Sequence, residues 1–591
     1  MRLSSLQKAA RPSELPFFSP DSLPVNHPNP AIVSQSAVRR LPRWALLLLC
    51  LSYVCAGFMG RDAWRSADIT ALGFMGALAN GTSSWWSPSM LGWSPDNPAV
   101  LPYWLGALAL QLAPAAWPAD FVARIPFGLL LATALLASWY GTYYLARNPA
   151  AQPVAFAFGG EAQPTDYARA MADGGVLALI ACLGLAQLSH ETTPALAQLG
   201  FSALLFYGIA ALPYRTLGPH MAAFMGLLGL SLSGAPTMAM LYLVGGMLVH
   251  WLDRDNGRTS DAPRSARNND LWALLAYAGV ACAVAYALNL WRWKLELPPL
   301  SWRTVDGFAQ LLIWFTWPAW PLALWTLWRW RWQLWGRRLH RHLAWPLWFA
   351  AVTVVATPFG SDSDRTLLLA LPALATLAAF ALPTLKRQVA ALIDWFTLLF
   401  FSGCGFTIWV VWIAMQTGVP SQPAANVARL APGFQASFSL FAFGMAVLAT
   451  LAWAWLVKWR VGRHRAAIWK SLVLPAGGAA LCWLLLMTLW MPLLNYAQSY
   501  RSLVQQASPL VGPEGCAETG TLKAVHLSAF QWYSTVRLVA ANGESACEWQ
   551  LSEPAEDMEV QPSVDTTRWT PHTLLRHPVD RAEAVWLLHR R

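Results

Sequence analysis

The sequence predicts a polytopic α-helical membrane protein of about thirteen spans with a small polar α/β domain at its end. Three observations predict it. The 591 residues are 56% apolar and only 12% charged, more than one water-soluble core can hide. The apolar residues fall in long runs nearly free of charge, each near the length that crosses ~30 Å of hydrocarbon as a helix. After Leu494 the composition turns polar with a slight acidic excess, and turn signals alternate with short apolar runs such as Leu522–Phe530 and Ala584–Leu588, the pattern of a compact mixed domain.

Residues 1–43 carry many prolines and few large apolar side chains and read as a disordered cytoplasmic tail. The run Trp44–Gly60 lies too deep for an ordinary signal peptide. Bulky Tyr53 and Val54 precede Cys55 where lipoprotein processing wants small residues, so this run is a retained first membrane helix. The stretch Arg61–Phe121 is interrupted by Pro, Asn and Asp and is rich in Trp, which suits short helices lying at the interface. A second spanning helix follows at Val122–Ala146. Further spans are expected at Gly174–Leu188, Pro194–Leu212, His220–Leu232, Pro236–Leu252, Leu271–Leu290, Gly307–Trp328, Leu343–Pro358, Thr366–Pro383, Leu392–Met415, Phe434–Val457 and Ile468–Leu494. The membrane domain thus occupies residues 44–494 and the polar domain residues 495–591.

Orientation follows from the basic residues. With the N-terminus in the cytoplasm, the tail and inner loops hold about 25 of them, including Arg254, Arg258, Arg264, Arg267, Arg329, Arg331, Arg337, Arg338, Arg341, Lys458, Arg460, Arg463 and Arg465, and the outer loops only about eight. This sorting accounts for much of the net charge of +11 without a nucleic-acid partner. The run Trp328-Arg329-Trp330-Arg331-Trp332 alternates rings and cations as base-stacking surfaces do, but interfacial Trp anchors with positive-inside charge explain it without any ligand. The odd helix count puts the first loop and the polar domain outside the cytoplasmic membrane, which for a bacterial inner membrane is the periplasm. Of the eight cysteines, Cys50, Cys55, Cys182, Cys282, Cys404 and Cys482 fall in apolar runs, where a thiol behaves as a small hydrophobe. Cys516 and Cys547 remain in the polar domain and are expected to pair in an oxidising compartment. No Cys/His spacing suggests a structural zinc site.

The densest chemistry lies between Gly60 and Trp104. Asp62, Arg65 and Asp68 are three apart, so on a helix Arg65 neighbours both carboxylates and can hold an anion while one carboxylate takes a proton. Ser94-Pro95-Asp96-Asn97-Pro98 supplies a second acid in a turn-forming cluster, ahead of the amphipathic run Ala99–Leu112. As isolated charges these residues could equally solvate the mouth of a helix.

Taken together, Asp62-x-x-Arg65-x-Ala67-Asp68-Ile69 after the first helix and Asp96-Asn97-Pro98 ahead of Tyr103-Trp104 resemble the membrane-embedded GT-C glycosyltransferases that use polyprenyl-phosphate sugars. The resemblance is to the group containing protein O-mannosyltransferases and the lipid A aminoarabinose transferase. Asp68 stands where that family has Glu, and Asn97 where it has a Lys that meets the lipid phosphate. The turn Gly234-Ala235-Pro236 matches its Lys-Gly-Pro turn without the Lys. Arg365, ahead of a leucine-rich Pro segment, resembles a basic residue facing the phosphate pocket, and Glu191 in His190-Glu191 resembles an acid near the sugar. Local explanations stand beside both: a solvated turn for Arg365, a favourable helix N-terminus for Glu191.

The resemblance implies a GT-C-like fold and sugar transfer from a polyprenyl-phosphate donor to an acceptor hydroxyl or phosphate on a glycolipid, glycan or protein, among membrane lipids. Asp62 would be the base, Arg65 and Arg365 would meet the phosphate, and Asp96 or Asp68 would orient the sugar or a divalent metal. Asn97, Tyr103 and Glu191 would line the substrate. A non-catalytic scaffold of envelope glycan assembly is the alternative. Transport is disfavoured, because the middles of the spans carry almost no charge apart from Asp394.

Overall fold

The computed structural model of the chain describes residues 29–64, 66–114, 116–253, 264–291, 301–336, 338–360, 362–461, 467–512, 515–541, 547–554 and 567–591. Arg65, Arg254, Arg258, Arg337, Arg463 and Arg465, all singled out in the sequence, lie outside the described residues.

Hydrocarbon offers no partner for a backbone N–H or C=O, so apolar runs become helices that satisfy these groups internally. Among the described residues, seven helices are long and apolar enough to span: Ala119–Ala146, Pro194–Ala211, Arg267–Ala287, Arg341–Phe359, Arg387–Thr417, Leu440–Arg460 and Lys470–Leu489. Most of the other expected spans are shorter or broken. Arg43–Phe58, Leu217–Leu232, Pro236–Leu252 and Leu371–Thr384 are apolar but have only 10–17 residues. The expected span Gly307–Trp328 is two helices, Trp302–Phe315 and Ala319–Arg329. Pro318 lacks an amide hydrogen and drives Trp317 out of helical geometry. Thr366–Pro383 likewise divides into Ser363–Leu368 and Leu371–Ala381, with Pro372 in the first turn of the second piece, where proline is tolerated. Gly174–Leu188 shifts to Pro164–Ala181 and breaks at Cys182; its first turns carry Asp166 and Arg169, which an apolar-run reading skips.

The tail expected to be disordered up to residue 43 is packed from Asn29 onward. Ala31, Val33 and Val38 are buried, and β-bridges tie Ser34 to Glu161 and Val38 to Ala467. Three apolar side chains at short spacing are enough to dock a segment that composition alone marks as polar and proline-rich.

The C-terminal domain begins with helices Met491–Gln498 and Arg501–Val511. Its strands are β1 (Cys516–Thr519), β2 (Arg537–Ala540), β3 (Trp549–Ser552), β4 (Trp569–Arg576) and β5 (Ala584–Arg590), in the sheet order β2-β1-β3-β5-β4. β1 runs parallel to β2 and β3, and β5 runs antiparallel to β3 and β4. The parallel β1–β2 pair needs a crossover, which helix Ala524–Tyr533 provides. A disulfide joins Cys516 to Cys547, their Cα atoms 5.3 Å apart, linking the start of β1 to the approach to its neighbour β3.

One contact positions everything that follows. Helix Ala67–Ala79 of the first loop packs along helix Ala524–Tyr533 of the C-terminal domain. A Cβ at Gly73 would stand 2.4 Å from Ser528 Oγ, so the two helices approach this closely only because Gly73 has no side chain.

Candidate functional site

Asp62 and Asp68 do not share a helix, which corrects the expectation for these two carboxylates. Gly60 takes a left-handed φ of 69°, residues 61–64 are irregular, and Ser66 at φ 67° precedes a helix that starts only at Ala67. The irregular entry sends consecutive side chains to different partners. Arg61 pairs with Asp68, and Asp62 pairs with Arg501 of the C-terminal domain.

The inner cluster is closed. Arg61, Asp68 and Arg124 are all at most 2% exposed. Arg61 Nη2 donates to Asp68 Oδ2 at 2.9 Å and to the carbonyl of His190 at 2.7 Å, and Arg124 donates to the carbonyl of Arg61. Thr192 donates to Asp68 Oδ1 through its backbone N–H at 2.7 Å and through its hydroxyl. Burial pushes the Asp68 carboxyl up, but Arg61, Arg124 and the two Thr192 bonds outweigh it, and Asp68 is held below the usual carboxylate range. Its oxygens accept from protein donors and Asp68 is 1% exposed, an arrangement that holds the first loop to the His190–Thr192 segment.

Beside this cluster, Arg365 Nη2 meets Glu191 Oε2 at 3.0 Å, with 19% and 6% of their side chains exposed. Burial pushes the Glu191 carboxyl up, with Arg365 drawing it back. Asp362, 3.8 Å from Arg365 Nη1, is about half exposed. The charged groups here are three guanidiniums, Arg61, Arg124 and Arg365, around two buried carboxylates, Asp68 and Glu191, with Asp362 and Asp364 at the rim beside Arg365. Among the described residues Arg61 Nε and Nη1, Arg124 Nε and Nη2, and Arg365 Nε have no hydrogen-bond partner, although Arg124 Nη2 lies 3.8 Å from Asp68 Oδ2. Buried donors without acceptors are costly, and three guanidiniums with spare N–H groups are a setting for an anion.

The outer cluster is open. Arg501, just past the last membrane-domain helix, forks onto Asp62, Nε to Oδ2 at 3.0 Å and Nη2 to Oδ1 at 2.9 Å. The same Nη2 reaches Asp120 Oδ2 at 3.4 Å, and the guanidinium lies 4.6 Å from the centre of the Tyr533 ring. Asn495 Oδ1 accepts from the Asp62 N–H at 3.1 Å and from Trp64 Nε1 at 3.0 Å. Trp532 Nε1 donates to Asp120. Asp62 keeps 18% of its side chain exposed and Arg501 keeps 43%, so this pair is fixed in geometry yet within reach of solvent. Asp120 and Arg124, four apart on helix Ala119–Ala146, serve one cluster each.

The other expected residues spread out. Asp96 and Asn97 are exposed in the loop before helix Leu101–Leu112. That loop docks on the Gly234 turn, Val100 donating to the carbonyl of Leu232 at 2.9 Å. Tyr103, expected at the substrate, is 4% exposed and packs against Phe74, ring centres 5.5 Å apart. Asp394, the charge that stood out in a span, pairs with Arg460, whose Nε donates to it at 3.1 Å. Among the described residues no group of three His, Cys, Asp or Glu side chains converges in a way that could hold a metal ion.

Sequence reasoning missed Arg61, Asp120, Arg124, Arg501, Trp532 and Tyr533. Two carried a signal: an Asp and an Arg at i and i+4 opening an apolar helix are ionisable residues in an expensive place. Arg501 and the Trp532-Tyr533 pair meet Asp62 across more than 400 residues, and no local pattern reports that.

No protein-family model matches the chain, and no curated protein matches it. Its architecture does match solved structures. ArnT from Cupriavidus metallidurans bound to undecaprenyl phosphate superimposes with a TM-score of 0.59 over 92% of this chain and 97% of that one, at 14% identity. The same protein in the apo state gives 0.54 over 84% and 85%, at 13% identity. An Archaeoglobus fulgidus oligosaccharyltransferase tethered to an acceptor peptide gives 0.41 over 84% and 63%, at 11% identity, a score on which nothing further rests. The chain has a GT-C-like membrane fold with a C-terminal sheet domain.

Proposed function

We propose that this protein transfers a sugar from a polyprenyl-phosphate donor to an acceptor at the outer face of a bacterial inner membrane. One observation carries the reading: a partly exposed carboxylate, Asp62, stands one residue from a cluster of three guanidiniums with spare N–H groups among the described residues. Transfer from a phosphate ester needs both parts, cations for the leaving phosphate and a carboxylate to take the acceptor proton. A fold similar to an ArnT structure that holds undecaprenyl phosphate makes the donor class the natural one, although fold alone would not assign a function.

In this reading Arg365, with its free Nε at the edge of the cluster, meets the phosphate. Glu191 sets the position of that guanidinium, and Asp62, held by Arg501 and Asn495, is the base. Arg365 supplies positive charge in the absence of the Lys that Asn97 replaces. Asp96 and Asn97, exposed on the loop docked at the Gly234 turn, stand where donor or acceptor enters. The Lys/Arg distribution supports a cytoplasmic N-terminus with the site on the opposite face.

The test is purified protein incubated with radiolabelled undecaprenyl-phosphate sugars and a glycolipid or glycan acceptor. Label should leave the donor in wild type, and Arg365→Gln should raise the donor KM by about tenfold or more, the loss expected for one charged hydrogen bond. Donor lipid that neither binds nor turns over in any sugar form would favour a non-catalytic scaffold.

A further inference from the structure

A cavity of about 510 Å³ opens where the first-loop helices meet the C-terminal domain, within the ~300–1,000 Å³ range of small-molecule sites. Its polar wall comprises Asn80, Gln111, Asp120, Arg501, Trp532 and Tyr533. Two aromatic rings stand beside three side-chain amides, those of Asn80, Gln111 and Gln531, and the one carboxylate offsets the one guanidinium. A lipid chain would strand the amides, and an anion would meet Asp120 as well as Arg501. An uncharged polyhydroxylated ring satisfies every group: amides and carboxylate bond hydroxyls in both directions, and the C–H face of a sugar lies on an aromatic ring.

Two details favour a built pocket over a packing gap. Gln531, also in the wall, has a buried Oε1 with no partner among the described residues, an acceptor that a ligand hydroxyl would satisfy. The Trp532 indole is fixed at both ends, its Nε1 bonded to Asp120 and its six-membered ring 3.4 Å from where a Cβ on Gly76 would be. A rigid aromatic is a low-entropy binding platform.

We infer that this cavity is a carbohydrate subsite for a neutral hexose-type unit, which in the proposed reaction is the acceptor. The word acceptor rests on the sugar-transfer reading; the binding does not. Arg501, which lines the cavity, is the residue that forks onto Asp62, so a hydroxyl meeting Arg501 lies one side chain from the proposed base.

The test is saturation-transfer NMR on the full chain in detergent with glucose, mannose, N-acetylglucosamine and its β-1,4 dimer, and with glucose 6-phosphate as the charged control. At least one neutral sugar should bind with Kd near or below ~10 mM, and Ala79→Phe, which fills the cavity without removing a polar group, should weaken it about tenfold or more. Gln111→Leu, at an exposed rim position, should weaken it in the same direction and keeps the test valid if the filled variant misfolds. Undecaprenyl phosphate binding should be unchanged in both. Absence of neutral-sugar binding, equal binding by the variants, or preference for glucose 6-phosphate would overturn the subsite. Loss of undecaprenyl phosphate binding by wild type with sugar binding intact would instead overturn the sugar-transfer reading.

Discussion

Arg61 and Asp62 are adjacent in the chain, and the two clusters they enter show what burial does to the same chemistry. Arg61 joins Asp68, Arg124 and Thr192 in a knot from which solvent is excluded. Asp62 joins Arg501, which lines a 510 Å³ cavity together with Asp120 and is nearly half exposed. In the knot Asp68 has spent its acceptor capacity on protein donors and holds the first loop to the His190–Thr192 segment. Beside Arg501 an equally fixed carboxylate remains within reach of a ligand. Residue type does not separate the catalytic candidate from the structural one; access does.

The comparison breaks first at the knot. Asp68→Asn leaves two buried guanidiniums without their counter-charge, which typically costs ~3–5 kcal/mol, so the variant should show a large loss of folded yield and melting temperature. A variant as stable as wild type would mean that the knot is not structural.

Much of this was readable beforehand, for identifiable reasons. The spans follow from composition because hydrocarbon imposes helix on any long apolar run. The positions of Asp62 and Glu191 followed from local motifs. The partners did not. The helical spacing of Asp62, Arg65 and Asp68 pointed to a shared face, but the left-handed turn at Gly60 and the break at Ser66 override it. Proline splits at Pro318 and Pro372 were visible as residues, but hydropathy averages across them. Arg501 meets Asp62 where the C-terminal domain docks on the first loop, a docking that includes the close approach of Gly73 to Ser528 and has no local sequence signature.

The next effect sharpens the picture of the C-terminal domain as a separate module pressed onto the site. The Cys516–Cys547 bridge spans 31 residues and in the chain-entropy model stabilises by roughly 3–4 kcal/mol. Reduction, or Cys516→Ser with Cys547→Ser, should lower the unfolding temperature of this domain and increase proteolysis there before the membrane helices are affected. Unchanged protease sensitivity would contradict it.

Arg501→Gln should be smaller in stability, about 1 kcal/mol or less for so exposed a pair, yet transfer should fall about 10- to 100-fold because Asp62 loses its fixed orientation. Arg501→Lys, which cannot fork onto a carboxylate, should rescue little. A large stability loss with normal turnover would move Asp62–Arg501 into the structural class.

The smallest effect is a pH dependence. His526 sits between Glu553, with Nδ1 to Oε1 at 2.6 Å, and Glu583, with Nε2 to Oε2 at 3.0 Å. Burial lowers its pKa, but the two glutamates outweigh this and raise it above the ordinary 6.5. The folded domain therefore holds a proton that the unfolded chain releases, so the contribution is complete below pH ~6.5 and is lost as pH rises through the folded value. Melting of the C-terminal domain should shift downward between neutral and alkaline pH, and His526→Gln should flatten that slope.

The most direct measurement compares Asp62→Asn with Asp68→Asn in one preparation, scoring sugar transfer from a polyprenyl-phosphate donor and thermal unfolding together. Asp62→Asn should unfold close to wild type while kcat falls by ~10²–10⁴, the usual contribution of a general base. Asp68→Asn should lose stability first and activity only in proportion to the folded fraction. Full turnover in folded Asp62→Asn would contradict the account.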